Sequence, residues 1–407
     1  MAASDLLVQA PTDPTAELEL LIQEARARTR RRRARRLFAV LSLAGLLSAV
    51  LWAALPSRLA RRGDGRSLFQ SAVPRTVRAE PGFFADLLGY DSGQLQIRRS
   101  TSGQVVGVLG PLLGRGSITN ATAVAAVGPR GFLVALLGNT DCSTRLYKVD
   151  LTSSGRVASY SPAGPAIAGS VSSIAASANG QIVAYALNNL CVKGDRGYIG
   201  VLNLATDQER RWSDIAVAGE SFGKLGLNGR LSISANGRLI GFAASLSPAP
   251  LLAPTSGEVL VLPTNSLPGT VAARSHVVLR GNPLQIGPVA LSPTGRSYYL
   301  CSAQQSTPGR RATVSVSAYS LGASRPYSVL TTRTPSFVGC PDMTLDPSGG
   351  ALLMYYQNVV LPVGPTIQRA FLAHLAKVNT ATRANSDTTI SFRSSGMEQS
   401  AVLGTAW

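Results

Sequence analysis

Beyond Ser67 the apolar positions fall into short runs broken by Gly, Pro, Asn, Ser and Asp, the pattern of an all-β chain with many turns. Five stretches share one form: a short strand, a tight turn ending in glycine, then a second apolar strand. They are Ala123 to Leu137 around Gly131, Ser172 to Leu187 around Gly180, Leu231 to Ala244 around Gly237, Pro288 to Cys301 around Gly295, and Asp342 to Tyr356 around Gly349. The glycines stand 49, 57, 58 and 54 residues apart, which is room for one four-stranded unit per repeat rather than one hairpin. Third and fourth strands follow at Arg145 to Leu151 and Val157 to Tyr160 in one unit, and at Tyr198 to Leu204 and Glu209 to Trp212 in the next.

One apolar run departs from this pattern. From Leu37 to Leu55 the chain carries 19 residues without a charge, which as a helix at about 1.5 Å per residue crosses a bilayer's hydrocarbon core. Eight arginines precede it between Arg26 and Arg36, including Arg30, Arg31, Arg32, Arg33, Arg35 and Arg36, and such a cluster stays on the cytoplasmic side. Ala34 to Phe38 is similar to a twin-arginine export motif, but the apolar run exceeds a signal-peptide core and Trp52 to Pro56 offers no A-x-A site. We therefore expect an uncleaved anchor. The implied organisation is a cytoplasmic basic tail over 1–36, a transmembrane helix over 37–56, a linker over 57–82 and a propeller domain over 83–407, outside the cell membrane.

The form Ser-Pro-x-Gly-Arg before an apolar strand, clearest at Ser292 to Arg296, resembles the WD40-like and TolB-like β-propeller repeats, with near matches at Ser177 and Ser234. The resemblance covers roughly Phe83 to the C-terminus and implies a fold more than a function. An incomplete unit stands first, with strands at Phe83 to Tyr90, Gln94 to Arg99 and Gln104 to Leu109 and no innermost strand. Ser400 to Trp407 is the candidate for that strand, since closing a ring across the termini removes open edges. The count is six blades, or seven if Ile367 to Trp407 hides another.

With blade strands lettered a to d from the axis outward, the a–b and c–d turns share one face, and the b–c loops and d–a crossings share the other. All four cysteines map to the second face in two adjacent-blade pairs, so disulfides Cys142–Cys191 and Cys301–Cys340 are expected, in keeping with an oxidising exterior. The same face carries the long b–c loops, Asn188 to Gly197, Ser245 to Gly257, Ser302 to Arg311 and Gln357 to Gln368. Long loops on a rigid scaffold are where binding usually resides. Lys193, Asp195, Arg196, Arg310 and Arg311 are the binding-face candidates.

Charge and residue counts narrow the chemistry. Of 39 Lys+Arg and 21 Asp+Glu, 12 and 6 lie at or before Arg66, which leaves 27 − 15 = +12 on the remainder. Such a domain favours anionic partners such as lipid head groups or acidic wall polymers. At the tail the arginines should attract anionic lipid at about 1 kcal/mol each, and the tail is too short for a helix-turn-helix, so no nucleic-acid partner is expected. With only His276 and His374, a multi-histidine metal site or histidine-ligated haem is excluded, and no cofactor is expected. Gly219 to Gly223 matches the nucleophile-elbow pattern but leads into a blade strand instead of a helix. Arg62-Gly63-Asp64 lies in the basic linker, where chance explains it. The reading is a non-catalytic binding, sensing or scaffold propeller with an unknown protein or envelope ligand, in a bacterium of actinobacterial type. The alternative is an extracellular hydrolase-like propeller with carboxylates at its mouth, Asp195 among them.

Overall fold

In this computed structural model the described residues are 82–88, 94–109, 120–138, 142–188, 197–215, 225–246, 256–282, 286–305, 312–333, 340, 342–360, 370–382, 385–391 and 402–406. They form six antiparallel sheets of four core strands each. The first blade is Val402–Ala406, Phe83–Leu88, Gln94–Arg99 and Val105–Leu109 from a to d, so the C-terminal segment supplies the innermost strand as the sequence predicts. The second is Asn120–Ala126, Gly131–Leu137, Ser143–Leu151 and Val157–Pro162. The third is Ser170–Ala176, Ile182–Asn188, Gly197–Asn203 and Gln208–Ile215.

Blades four to six complete the ring. They are Leu225–Ile233, Leu239–Leu246, Ser256–Pro263 and His276–Gly281; Val289–Leu291, Ser297–Gln305, Ala312–Ser320 and Ser328–Arg333; and Asp342–Leu345, Ala351–Val360, Ala370–Asn379 and Asn385–Ser391. Each a strand touches the a strand of the next blade, and the sixth touches Val402–Ala406, which in turn touches the second blade. The propeller therefore has six blades and not seven. The segment that raised the seventh supplies the sixth blade's outer strands and the first blade's inner one.

Strand alternation fills the seams between blades. On the third blade's b strand, Val183, Tyr185 and Leu187 pack toward the second blade, while Ala184 and Ala186 pack toward the fourth. The third and fourth blades close on Trp212, Ile240, Phe242 and Leu260. Burying a Trp leaves its N–H in need of an acceptor, and Trp212 Nε1 donates to Leu267 O at 3.1 Å. Leu267 lies in the fourth blade's c–d connection, whose Gly269–Thr270 adds a parallel fifth strand beside Gln208–Ile215. This clasp joins neighbouring blades at the rim.

The a–b turns repeat one hydrogen-bond scheme. Ser177 Oγ accepts from Ile182 N at 3.0 Å and Asn179 Oδ1 accepts from Gln181 N at 3.1 Å; Ser234 and Asn236 repeat both contacts. The turn glycines Gly180, Gly237, Gly295 and Gly349 all have positive φ, from 68° to 77°, where a Cβ is strained. In the second blade that residue is Gly128, φ 68°, not Gly131. Gly131 opens the b strand instead, where a Cβ would stand 2.5 Å from Val127 O.

Neither the apolar run over 37–55 nor the basic cluster Arg30 to Arg36 lies among the described residues. Among those described, no helix is long and apolar enough to cross a membrane.

Candidate functional site

The sequence points to the disulfide face. Cys301 lies in the fifth blade's b strand, not at its end, and is bonded to Cys340 ahead of the sixth blade's a strand, with Cα atoms 6.3 Å apart. Both are buried in the seam between those blades. Cys142 is disulfide-bonded too, at a positive φ of 46°; Cys191, its expected partner, lies outside the described residues. So do Lys193, Asp195, Arg196, Arg310, Arg311, the Gly219 to Gly223 motif and Arg62 to Asp64. His276 is exposed at the start of a d strand, and His374 pairs with Tyr356 within the sixth blade.

Along the axis the structure assembles charges that the sequence reading did not single out. In the fourth blade's a strand the pairing register breaks between Asn228 and Ser232, and Gly229 takes φ 79°, a glycine bulge of the kind that re-aims a side chain. Arg230 emerges there, nearly buried, and reaches two other blades. Its Nε stands 3.5 Å from Asp342 Oδ1 of the sixth blade, and its Nη1 donates to Val124 O of the second at 3.3 Å. One guanidinium thus ties three a strands together across the ring.

A second pair lies on the ring-closing blade. Asp86 is 1% exposed in the b strand and accepts from Arg98 Nε at 3.3 Å. Arg98 also donates to Gly103 O at 3.0 Å and to Gln96 Oε1 at 2.6 Å, while Asp86 Oδ1 is buried without a hydrogen-bond partner. Burial pushes the Asp86 carboxyl up to about 6, Arg98 opposes this, and the charges of Asp342 and Arg230 act on it with opposite signs. Two carboxylates and two guanidiniums therefore form one electrostatic cluster.

Toward the short-turn end of the axis lies a cavity of about 100 Å³, lined by Val124, Ile174, Arg230, Ser232, Thr344 and Asp346 among others. It has room for a few waters and is well below the several hundred Å³ of an ordinary small-molecule site. Asp346 is committed to its turn, accepting from Ala351 N at 2.7 Å and from Ser348 N. No group of three or more metal-ligating side chains occurs among the described residues. The arrangement is charge-balanced and suited to holding strands together. Among the described residues, the buried carboxylates paired with arginines are Asp86 and Asp342.

One signal in the sequence did mark this cluster: a lone charge inside an apolar strand, as in Phe83-Phe84-Ala85-Asp86-Leu87-Leu88. Such a charge must find a partner when the strand is buried.

No family model matches the chain, and no curated protein matches it. Among solved structures it is similar to TolB from Acinetobacter baumannii, at 14% identity and TM-score 0.46 over 80% of this chain and 66% of that one. It is also similar to a protein described as TolB from Agrobacterium tumefaciens, at 12% identity and TM-score 0.42 over 70% of this chain and 83% of that one. A third is an oligogalacturonate lyase from Vibrio parahaemolyticus, at 11% identity and TM-score 0.33 over 75% of this chain and 84% of that one. The chain spans just under two thirds of the Acinetobacter protein and carries the six-bladed β-propeller architecture that its own strand order defines.

Proposed function

We propose that the chain is a non-catalytic binding or scaffold propeller, tethered by residues 37–55 to the membrane of an actinobacterial-type cell, with the propeller outside. The observation that carries the binding reading is the occupied axis. Arg230 bridges three blades where a propeller enzyme would hold its substrate, and Asp86 and Asp342 are buried, each beside an arginine. Carboxylates held this way are poorly placed to exchange protons with a substrate, so ligand contact falls to the faces. The buried Cys301–Cys340 bridge supports an oxidising location.

For the ligand we favour an anionic envelope component on the face of the long b–c loops, with Lys193, Arg196, Arg310 and Arg311 as contacts. Full-length protein in zwitterionic nanodiscs, titrated with a glycerol-phosphate polymer, tests this. Saturable binding is expected, with each lost charge-assisted contact costing about 1.5 to 3 kcal/mol when the four residues are changed to Ser. Unchanged affinity in that variant, or no binding by the parent, overturns the assignment.

A further inference from the structure

The opposite face, carrying the a–b and c–d turns, is built differently, and three observations converge on it. The first is charge. Arg130, Arg238 and Arg296 sit in or just after a–b turns, while Arg99, Arg156 and Arg325 sit at c–d turns, and all six are exposed. None forms an ion pair among the described residues. Against them stand Asp150, Asp207 and Glu209, of which Asp150 is 3.2 Å from Lys148 and Glu209 is held by Arg211 at 2.7 Å.

The second observation is apolar exposure. Of the large hydrophobic side chains exposed among the described residues, Leu267, Leu321 and Tyr327 belong to c–d connections on this same face, with Leu267 69% and Tyr327 60% exposed. They stand in the fourth and fifth blades, beside Arg238, Arg296 and Arg325. Apolar side chains with an amphipathic Tyr among arginines is the composition of a surface that settles at a bilayer interface.

Third, the described chain begins at Gly82 on this face, since Phe83–Leu88 runs from the short-turn side toward the b–c side. The first blade lies across a six-bladed ring from the fourth. The face is also rigid: Ala178 N donates to Ala235 O at 3.0 Å and Ala235 N to Pro293 O at 2.9 Å, which laces three successive turns together. Little ordering entropy is then lost on contact.

We propose that the short-turn face is a docking surface for an anionic lipid bilayer, gripped by Arg238, Arg296 and Arg325 and seated on Leu267, Leu321 and Tyr327. This rests on the membrane-tethered reading above. Tethering makes the contact intramolecular, so a patch too weak to hold a free protein still engages. Each arginine near an anionic surface contributes about fivefold to association, and three of them on the order of a hundredfold.

Hydrogen exchange on the full chain in nanodiscs tests this, comparing phosphatidylcholine alone with phosphatidylcholine plus phosphatidylglycerol. Exchange at residues 234–238, 292–296 and 321–327 is expected to slow by about fivefold or more in the anionic discs. Salt at about 0.5 M should abolish the slowing, as should changing Arg238, Arg296 and Arg325 to Ser. Equal exchange in the two discs overturns the proposal, as does slowing by a soluble glycerol-phosphate polymer without any lipid effect. If alkaline carbonate extracts the chain, the tether reading fails separately. Sedimentation with phosphatidylglycerol vesicles then decides: salt-sensitive binding lost in the triple variant supports the face, and its absence overturns it.

Discussion

The two faces of this disc are held by different means. On the short-turn side the a–b turns of the third to sixth blades are closed hydrogen-bonded units, with a serine, asparagine, threonine or aspartate oxygen accepting from the strand that follows. On the other side the b–c intervals are long and variable in sequence, and a covalent bond joins neighbouring blades instead, from Cys301 to Cys340. The contrast teaches where a propeller leaves freedom. Local turns fix one face residue by residue, which suits a broad contact, whereas stapling blades beneath long loops fixes their base and leaves their tips open to sequence change.

Removing the staple breaks the comparison most directly. Changing Cys301 and Cys340 to Ala opens a link of sequence separation 39 and costs on the order of 4 kcal/mol by the loop-entropy argument. Chemical denaturation of the double variant measures it; a loss under about 1 kcal/mol would mean that the seam holds without the bond.

Between the faces, the charged cluster at ring closure sets a pH dependence. The Asp86 carboxyl is raised to about 6 in the folded chain from an ordinary 3.8, so the native state binds a proton more tightly than the unfolded one. Its contribution is therefore unfavourable above pH 6 and is relieved as pH falls through 6 toward 4. Asp86→Asn should stabilise the protein at pH 7.5 by up to about 3 kcal/mol and flatten the rise in Tm on mild acidification. A variant with lower stability at pH 7.5 and the same acid profile would show that the Arg98 pair outweighs burial.

A smaller effect sharpens the account of the turns. Gly180 has φ 69°, and a Cβ there would come 2.3 Å from Val127 Cγ1 of the preceding blade. Gly180→Ala should cost about 2 kcal/mol through backbone strain and overpacking. Gly322, φ 85° with open space around it, is the control: its Ala variant pays only the strain. Equal losses at both sites would show that the turn glycines do not serve blade packing.

Much of this architecture was legible because its signals are local. A serine, a turn glycine and two apolar strands recur within about fifteen residues, and the missing inner strand of the first unit points to the C-terminus. Cys301 and Cys340 were legible as a pair because one falls in, and the other just before, recognisable strands of adjacent units. The axial cluster was legible only in part. Asp86 stands out as a lone charge in an apolar strand, but only the fold brings Asp342 and Arg230 to bear on it. Arg230 stands just ahead of the strand that the sequence sets at Leu231, and only the register break between Asn228 and Ser232 shows the bulge that drives the guanidinium across the axis. Gly131 was mistaken for the turn residue because sequence spacing carries no sign of φ, which places the left-handed residue at Gly128.

The central claim, a propeller outside the membrane with its basic tail inside, is tested by treating intact cells with an impermeant protease and a thiol-blocking reagent, then mapping peptides without reduction. The account predicts that the propeller is cleaved, residues 1–36 are protected, and Cys301 and Cys340 are recovered as one linked pair. A protected propeller with both thiols alkylated would contradict it.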